Sequence, residues 1–340
     1  MRPMNAGIIG CGAMGLRHLK AYNEIEGIEV KAMCDLNQEA LDKVKTDNPN
    51  INTYTDMKEM LEKENLDIVS VVTLGPSHAN IVIELAKAKV PNIFCEKPIA
   101  TSARECHDMI EACKTNNSKL AINHVKRYMP AYIKAKELIE QNKIGTISSI
   151  YTSQGGGRLG CMGTHIIDLF NFLFNKSPVS VSGVIDSSYK GDHKGRDVFD
   201  PGGFGTINYG DGQKAILDVT ENLGTPGFVL VNGSVGRLVI DEKKGIKLVS
   251  RNDEDFEKRL GEYNLPLEKE EYFETGKIAV EDITRDSIKN FLTGNNYCTA
   301  EQGTEAVEVI LGIHLADKTN TQIKLPLEGE NINFEVKITW

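Results

Sequence analysis

The stretch Asn5-Ala6-Gly7-Ile8-Ile9-Gly10-Cys11-Gly12-Ala13-Met14-Gly15 decides how the rest of the chain is read. A short run that is apolar on both faces leads into a G-x-G-x-x-G hexapeptide, and a helix-like segment follows over Gly15–Asn23. Alone the hexapeptide is weak, because glycine-rich loops arise by chance. Its setting is stronger: Asp35 lies 20 residues beyond Gly15, at the end of a second strand-like run, Glu29–Asp35. Strand, glycine turn, helix, strand and acid in that order form the fingerprint of a dinucleotide-binding unit. Gly10 permits the tight turn, Gly12 lets the backbone approach a pyrophosphate, and Gly15 lets helix pack closely on strand. The pyrophosphate would sit on backbone N–H groups at the helix N-terminus, where the macrodipole favours negative charge. Gly10, Gly12, Ala13, Met14, Gly15 and Asp35 are therefore the expected cofactor-binding set. Asp35 can accept hydrogen bonds from both adenosine ribose hydroxyls and would repel a 2′-phosphate. The next residue is Leu36 rather than arginine, so NAD is expected over NADP.

Outward from that unit, strand-like runs at Ile68–Thr73, Asn92–Cys95 and Lys119–Asn123 alternate with helix-like segments at Gln38–Lys45, Asp56–Lys63, Ser77–Ala88 and Ala103–Thr115. Such alternation predicts a doubly wound, parallel α/β sheet of Rossmann type over residues 1–123. After Asn123 the texture changes. A helix-like stretch, Ala131–Gln141, precedes β-type segments at Thr146–Ser153, Val179–Ile185, Gly203–Asn208, Lys214–Thr220, Gly227–Asn232, Gly236–Ile240 and Ile246–Ser250. Turn signals such as Tyr209-Gly210-Asp211-Gly212 separate them, which predicts an α+β domain over 124–340 with a large, mostly antiparallel open sheet. A helix at Gly163–Phe174 interrupts it, and Asn252–Glu274 reads as a charged, exposed excursion. Helices near Ile283–Leu292 and Thr299–Lys318 follow, and a final strand pair is expected to close the sheet.

Composition sets the class. The 340 residues are 40% hydrophobic and 26% charged, with a net charge of −9 and no long basic run. Nucleic acid and anionic membrane surfaces are thereby disfavoured as partners. The seven cysteines are scattered, odd in number and without a C-x-x-C pair, so neither a disulfide framework nor a metal site is expected, and a reducing cytoplasm suits them. No charged segment followed by a long apolar one marks a leader, and no apolar run reaches membrane-spanning length.

Two further features stand where such a sheet presents its ligand site, beyond the C-terminal strand ends. One is Cys95-Glu96-Lys97-Pro98. A lysine held there could bond a substrate hydroxyl and stabilise charge developing on its oxygen, although a lone lysine is more often a solvated surface charge. The other is Gly155-Gly156-Gly157-Arg158-Leu159-Gly160-Cys161-Met162-Gly163-Thr164-His165-Ile166-Ile167-Asp168. His165 and Asp168 share a helix face, and histidine suits a general base near neutral pH; standing alone it would more often be a cap or core histidine.

Five motifs in order carry a resemblance: Gly10–Gly15, Thr73-Leu74-Gly75-Pro76-Ser77-His78, Glu96-Lys97-Pro98, Lys126-Arg127-Tyr128, and the glycine-rich stretch ending in Gly163-Thr164-His165-Ile166-Ile167-Asp168. Together they resemble the glucose-fructose oxidoreductase / inositol dehydrogenase / MocA (Gfo/Idh/MocA) family, from the N-terminus to about Pro326. The resemblance implies NAD(P)-dependent hydride transfer to or from a secondary hydroxyl of a sugar, cyclitol or nucleotide sugar. It implies a homo-dimer or homo-tetramer built on the open sheet. It places Thr73, Pro76, His78 and Glu96 beside the cofactor, Lys97 as the substrate-polarising lysine and His165 as the proton-transferring histidine. Asp168 is assigned to orient His165 or the substrate, and Arg127 and Arg158 to bind substrate. Many members carry aspartate four residues before the histidine, where this chain has Cys161, read here as a small apolar filler. That departure keeps two alternatives open: a catalytically silent dinucleotide-binding regulator, and a redox-neutral enzyme in which bound NAD oxidises a sugar transiently. Reduction of a non-sugar double bond fits less well with the Lys97 and His165 pair.

Overall fold

The computed structural model describes residues 2–188, 199–224, 227–252, 269–276 and 278–336. The chain divides into two compact units. The first comprises residues 1–125, 279–307 and 332–340. The second comprises 126–278 and 308–331.

In the first unit the elements run β1 (Met4–Ile9), α1 (Ala13–Asn23), β2 (Ile28–Cys34), α2 (Gln38–Asp47), β3 (Asn52–Tyr54), α3 (Met57–Lys63), β4 (Ile68–Val71), α4 (Gly75–Lys87), β5 (Asn92–Cys95), α5 (Ala103–Thr115) and β6 (Lys119–Ile122). Their sheet is parallel throughout, in the order β3-β2-β1-β4-β5-β6. Strand order reverses between β1 and β4, so the ligand crevice of such a sheet lies beyond the C-terminal ends of those two strands. Every residue of β4 is buried, as a strand covered by helices on both faces requires. Local caps set the helix starts. Asn37 accepts from the Glu39 and Ala40 N–H groups at α2, and Ser102 accepts from the Glu105 N–H at α5.

The second unit begins with α6 (Pro130–Glu140), β7 (Ile147–Ser153) and, after a π-helical turn at Leu159–Gly163, α7 (Thr164–Phe174). Strands follow as β8 (Ser180–Ile185), β9 (Gly203–Asn208), β10 (Lys214–Asp218), β11 (Phe228–Gly233), β12 (Gly236–Asp241), β13 (Gly245–Ser250) and β14 (Lys269–Phe273). Then come α8 (Val280–Thr293), which belongs to the first unit, α9 (Ala300–Thr319) and the short β15 (Ile323–Lys324). Among the described residues the sheet has nine strands in the order β14-β13-β12-β11-β7-β10-β9-β8-β15, antiparallel except for the β7–β10 pair. One face is buried through Ile150, Ala215, Leu217, Val229, Val231, Leu238, Ile240 and Leu248. The other is open and carries Thr206, Ile216, Tyr151, Leu230 and Val239 side by side in register, all half-exposed.

The large, mostly antiparallel sheet matches expectation, with three differences of detail. The edge strand β3 was not anticipated, because Asn52-Thr53-Tyr54 is too short to show a period. The excursion expected over Asn252–Glu274 ends in a strand, β14, whose Lys269-Glu270-Glu271 carries the charge typical of a protected sheet edge; residues 253–268 lie outside the described ones. In place of a final strand pair, β15 alone joins the sheet among the described residues, against β8. The units also divide the chain differently from a cut at 123/124. Ile288 and Phe291 of α8 complete the core of the first unit with Ile8, Leu19, Tyr22, Met33 and Phe94. Among the described residues no helix is long and apolar enough to cross a membrane.

Candidate functional site

In the first unit the glycine turn has the geometry its spacing predicts. Gly10 adopts φ +104°, and a Cβ there would lie 2.5 Å from the Val72 carbonyl oxygen. A Cβ on Gly15 would fall 1.9 Å from the Gly10 oxygen, so α1 can approach β1 only without a side chain at that position. Gly12 is different: it is exposed and a Cβ there would meet nothing within 4 Å. It is the N-cap of α1, no side chain caps that helix, and its first turn contains no acid. The amides at this end are thus left for an anion, and a pyrophosphate fits them. Ala13 is exposed and Met14 half-buried on the same turn.

Asp35 stands just past β2. Its Oδ2 accepts from the Cys11 N–H at 2.6 Å and its Oδ1 from the Asn37 N–H at 2.8 Å. The carboxylate is thereby fixed against the glycine turn while remaining half-exposed. Leu36 beside it is 93% exposed, and Leu74, after β4, is exposed as well. Thr73 and Pro76 flank Leu74, half-buried and exposed respectively. His78 is fully buried, its Nδ1 2.9 Å from the Pro98 carbonyl oxygen and its Nε2 3.0 Å from that of Thr73. It ties the loop after β4 to the loop after β5. Burial pushes its imidazole below the ordinary value, against the two carbonyls.

Glu96, like His78, lies beneath the crevice. Its Oε1 is 2.9 Å from His18 Nε2 and accepts from Asn123 Nδ2 at 2.7 Å; its Oε2 accepts from the Lys97 N–H at 3.3 Å. His18 Nδ1 lies 3.1 Å from Ser70 Oγ, which in turn is 2.8 Å from the Tyr22 hydroxyl. Burial opposes charge on Glu96. The contacts with His18, the Asn123 amide and the nearby Lys97 outweigh it and bring the carboxyl down to about 2. This buried network joins α1, β4, β5 and β6, and it holds the backbone of Lys97, whose side chain is half-buried at the end of β5. The sequence reading missed His18, Ser70, Tyr22 and Asn123. The available signal was His18 and Tyr22 at i,i+4 on a helix face otherwise apolar and buried.

In the second unit His165 is the second residue of α7 and half-buried. Asp168 is fully buried, and Arg127 grips it in fork fashion, Nε to Oδ2 at 2.7 Å and one terminal nitrogen to Oδ1 at 2.6 Å. Arg127 is itself buried, with its guanidinium 5.5 Å from the Phe172 ring centre. The two residues expected to meet substrate or His165 are therefore bonded to one another. Lys126 is buried and pairs with Glu242, which also accepts from the Tyr132 hydroxyl at 2.7 Å. Arg158 adopts φ +69° and its Nε lies 3.4 Å from Asp200 Oδ2. Cys161 is half-buried, and its N–H donates to the same Asp200 oxygen at 3.2 Å.

Comparison with known proteins matches residues 4–124 to the "Oxidoreductase family, NAD-binding Rossmann fold" of GFO/IDH/MocA proteins, and residues 149–239 to the "GFO/IDH/MocA C-terminal domain". The chain belongs to the Gfo/Idh/MocA family. Among its relatives, the inositol 2-dehydrogenase of Salmonella paratyphi B is 32% identical over 148 residues, 42% of this chain and 43% of that protein. The D-apiose dehydrogenase of Paraburkholderia graminis is 31% identical over 183 residues, 49% of this chain and 48% of that protein. These matches span less than half the length of either relative. The fold match is longer. An oxidoreductase from Agrobacterium radiobacter, solved in complex with NAD+, L-tartaric acid and magnesium, aligns over 94% of this chain and 98% of its own, with a TM-score of 0.80 and 16% identity.

Proposed function

We propose that this Gfo/Idh/MocA protein is an NAD-dependent dehydrogenase that moves hydride between the nicotinamide and a secondary hydroxyl of a sugar, cyclitol or nucleotide sugar. One observation carries the reading. The uncapped start of α1, the Asp35 carboxylate and Lys97 all belong to the C-terminal edge of one parallel sheet, where its strand order reverses. Dehydrogenase relatives acting on inositol and apiose support the substrate class. NAD, when bound, supplies the hydride acceptor; the protein supplies position and charge.

Side-chain chemistry and the local contacts within each unit support the residue roles. The α1 amides hold the pyrophosphate and Asp35 the ribose, favouring NAD over NADP. Lys97 donates a hydrogen bond to the substrate oxygen, with its backbone held by Glu96. His165 accepts the hydroxyl proton as hydride leaves the carbon. We assign Glu96 and His78 to holding the two crevice loops, and Arg127 and Asp168 to bracing α7, because each is buried on protein partners. Arg158 keeps an Asp200-bound place beside the glycine-rich turn. The half-exposed row Thr206, Ile216, Tyr151, Leu230 and Val239 supports assembly into a homo-dimer or homo-tetramer through the open face. The seven cysteines, six of them buried and none in a disulfide, suit a reducing cytoplasm.

The test is NADH absorbance with a panel of inositols, sugars and UDP-sugars. Turnover that falls at least about a hundredfold in Lys97→Ala, with NAD binding retained, supports the reading. Wild-type turnover in that variant would sink the role of Lys97. NAD binding without turnover on any alcohol would favour the silent regulator, the alternative that Cys161 keeps in view.

A further inference from the structure

His165 is reached through the π-helical turn Leu159–Gly163, and that turn does not cap itself. Arg158, which precedes it, is held at φ 69° and ψ 70°, a conformation that side chains other than glycine avoid, and its side chain makes no cap. Leu159 and Gly160 are buried, so their amides need acceptors within the protein. The acceptors come from a segment about 40 residues on in sequence. Asp200 Oδ1 accepts from the Gly160 N–H at 2.8 Å, and Oδ2 accepts from the Cys161 N–H at 3.2 Å with Arg158 Nε at 3.4 Å. The carbonyl of Pro201 accepts from the Leu159 N–H at 2.8 Å. Asp200 is 2% exposed.

We infer that Asp200 is a positioning residue for the substrate-side site: its carboxylate caps the turn from outside and holds the shape in which the chain presents His165. Where Cys161 brings no side-chain carboxylate to the turn, Asp200 delivers one to the backbone of that same residue. An anion set against helix amides and a guanidinium is stabilised by both. Burial nevertheless pushes the Asp200 carboxyl up to about 6, against the Gly160, Cys161 and Arg158 contacts. Among the described residues, Arg158 is a charged group facing it and Cys161 a titratable side chain on the turn. Glu221 is an acid facing the glycine turn that leads in: a Cβ on Gly157 would lie 2.6 Å from its Oε1. Protonation of Asp200 in mild acid replaces an acceptor by a hydroxyl and weakens the cap.

The inference rests on the proposed role of His165 for its functional meaning, but its test needs no substrate. Hydrogen exchange is followed by mass spectrometry on the full chain, for wild type and Asp200→Asn, above and below the Asp200 value and corrected for intrinsic rates. Wild-type exchange in the peptide covering residues 158–165 should rise about five- to tenfold on acidification, and Asp200→Asn should show the raised rate at both acidities. At one fixed pH, alkylation of Cys161 should be faster in Asp200→Asn than in wild type, while NAD binding stays unchanged. Exchange in that peptide that ignores both acidification and the substitution overturns the inference; if Asp200→Asn fails to fold, the wild-type acidification decides alone. A substrate found by the panel adds a second readout, a fall in kcat exceeding any rise in KM. Absence of turnover on every alcohol would overturn the dehydrogenase reading and leave the exchange result standing.

Discussion

Asp168→Asn should cost stability rather than chemistry. In the native protein the Asp168 and Arg127 side chains are 0% and 3% exposed and joined by hydrogen bonds of 2.6 and 2.7 Å. An amide at position 168 keeps the shape and one acceptor but removes the countercharge from a guanidinium that water cannot reach. Deleting one partner of such a pair costs about 3–5 kcal/mol, because the remaining charge stays desolvated. The Phe172 ring, 5.5 Å from the guanidinium, offsets part of that, so the lower end is expected, about 3 kcal/mol. Replacing both residues by apolar ones, Arg127→Met with Asp168→Leu, removes the charge and its desolvation together and should recover most of the loss. Urea unfolding followed by far-ultraviolet circular dichroism measures both variants, with NAD titration as a control that should not move. A loss under about 1 kcal/mol in Asp168→Asn, accompanied by slowed turnover, would refute the bracing role and return Asp168 to orienting His165.

Three other outcomes follow from the first unit. Asp35→Asn should weaken NAD about ten- to a hundredfold, as expected for losing hydrogen bonds to a charged acceptor, and narrow the preference over NADP; fluorescence titration with both cofactors reads it. Gly15→Ala puts a methyl 1.9 Å from the Gly10 oxygen and should abolish NAD binding while costing about 1–3 kcal/mol in urea. Glu96, held at about 2 against an ordinary value of 4.5, binds fewer protons folded than unfolded between those values. Its contribution, on the order of 3 kcal/mol, is present above about 4.5 and is lost as pH falls toward 2, so an acid titration of Glu96→Gln should lack that part of the slope.

What could be read from the sequence was whatever is decided within a few residues of itself. Gly10 and Gly15 announce a turn and a close approach because no other residue type tolerates φ +104° or a missing 1.9 Å of space. Asp35 is legible because it must sit one strand away from that turn. The alternation of β8 to β13 is legible because one face of the sheet is buried and the other is not. Edge elements escape that logic. Among the described residues Asn52–Tyr54 and Lys269–Phe273 pair on one side only, so their side chains need not alternate, and in the second the charges of Lys269, Glu270 and Glu271 guard the edge instead of filling a core.

Side-chain partnership is the other thing a linear reading leaves undetermined, and it explains the two aspartates of the second unit. Asp168 looked chemical because it shares a helix face with His165, yet its partner Arg127 lies 41 residues away and takes both its oxygens. Asp200 carried no signal, since nothing near Phe199-Asp200-Pro201 forms a pattern, yet it is bonded to the turn that leads to His165. A carboxylate one helical turn along from a candidate base is thus weaker evidence than it appears on paper, because a buried acid goes to whichever donor satisfies it. Here the fork of an arginine satisfies Asp168, and two backbone amides with a second arginine satisfy Asp200. The acid that matters for presenting His165 is then the one whose donors belong to the turn before it, and sequence distance carries no information about which one that is.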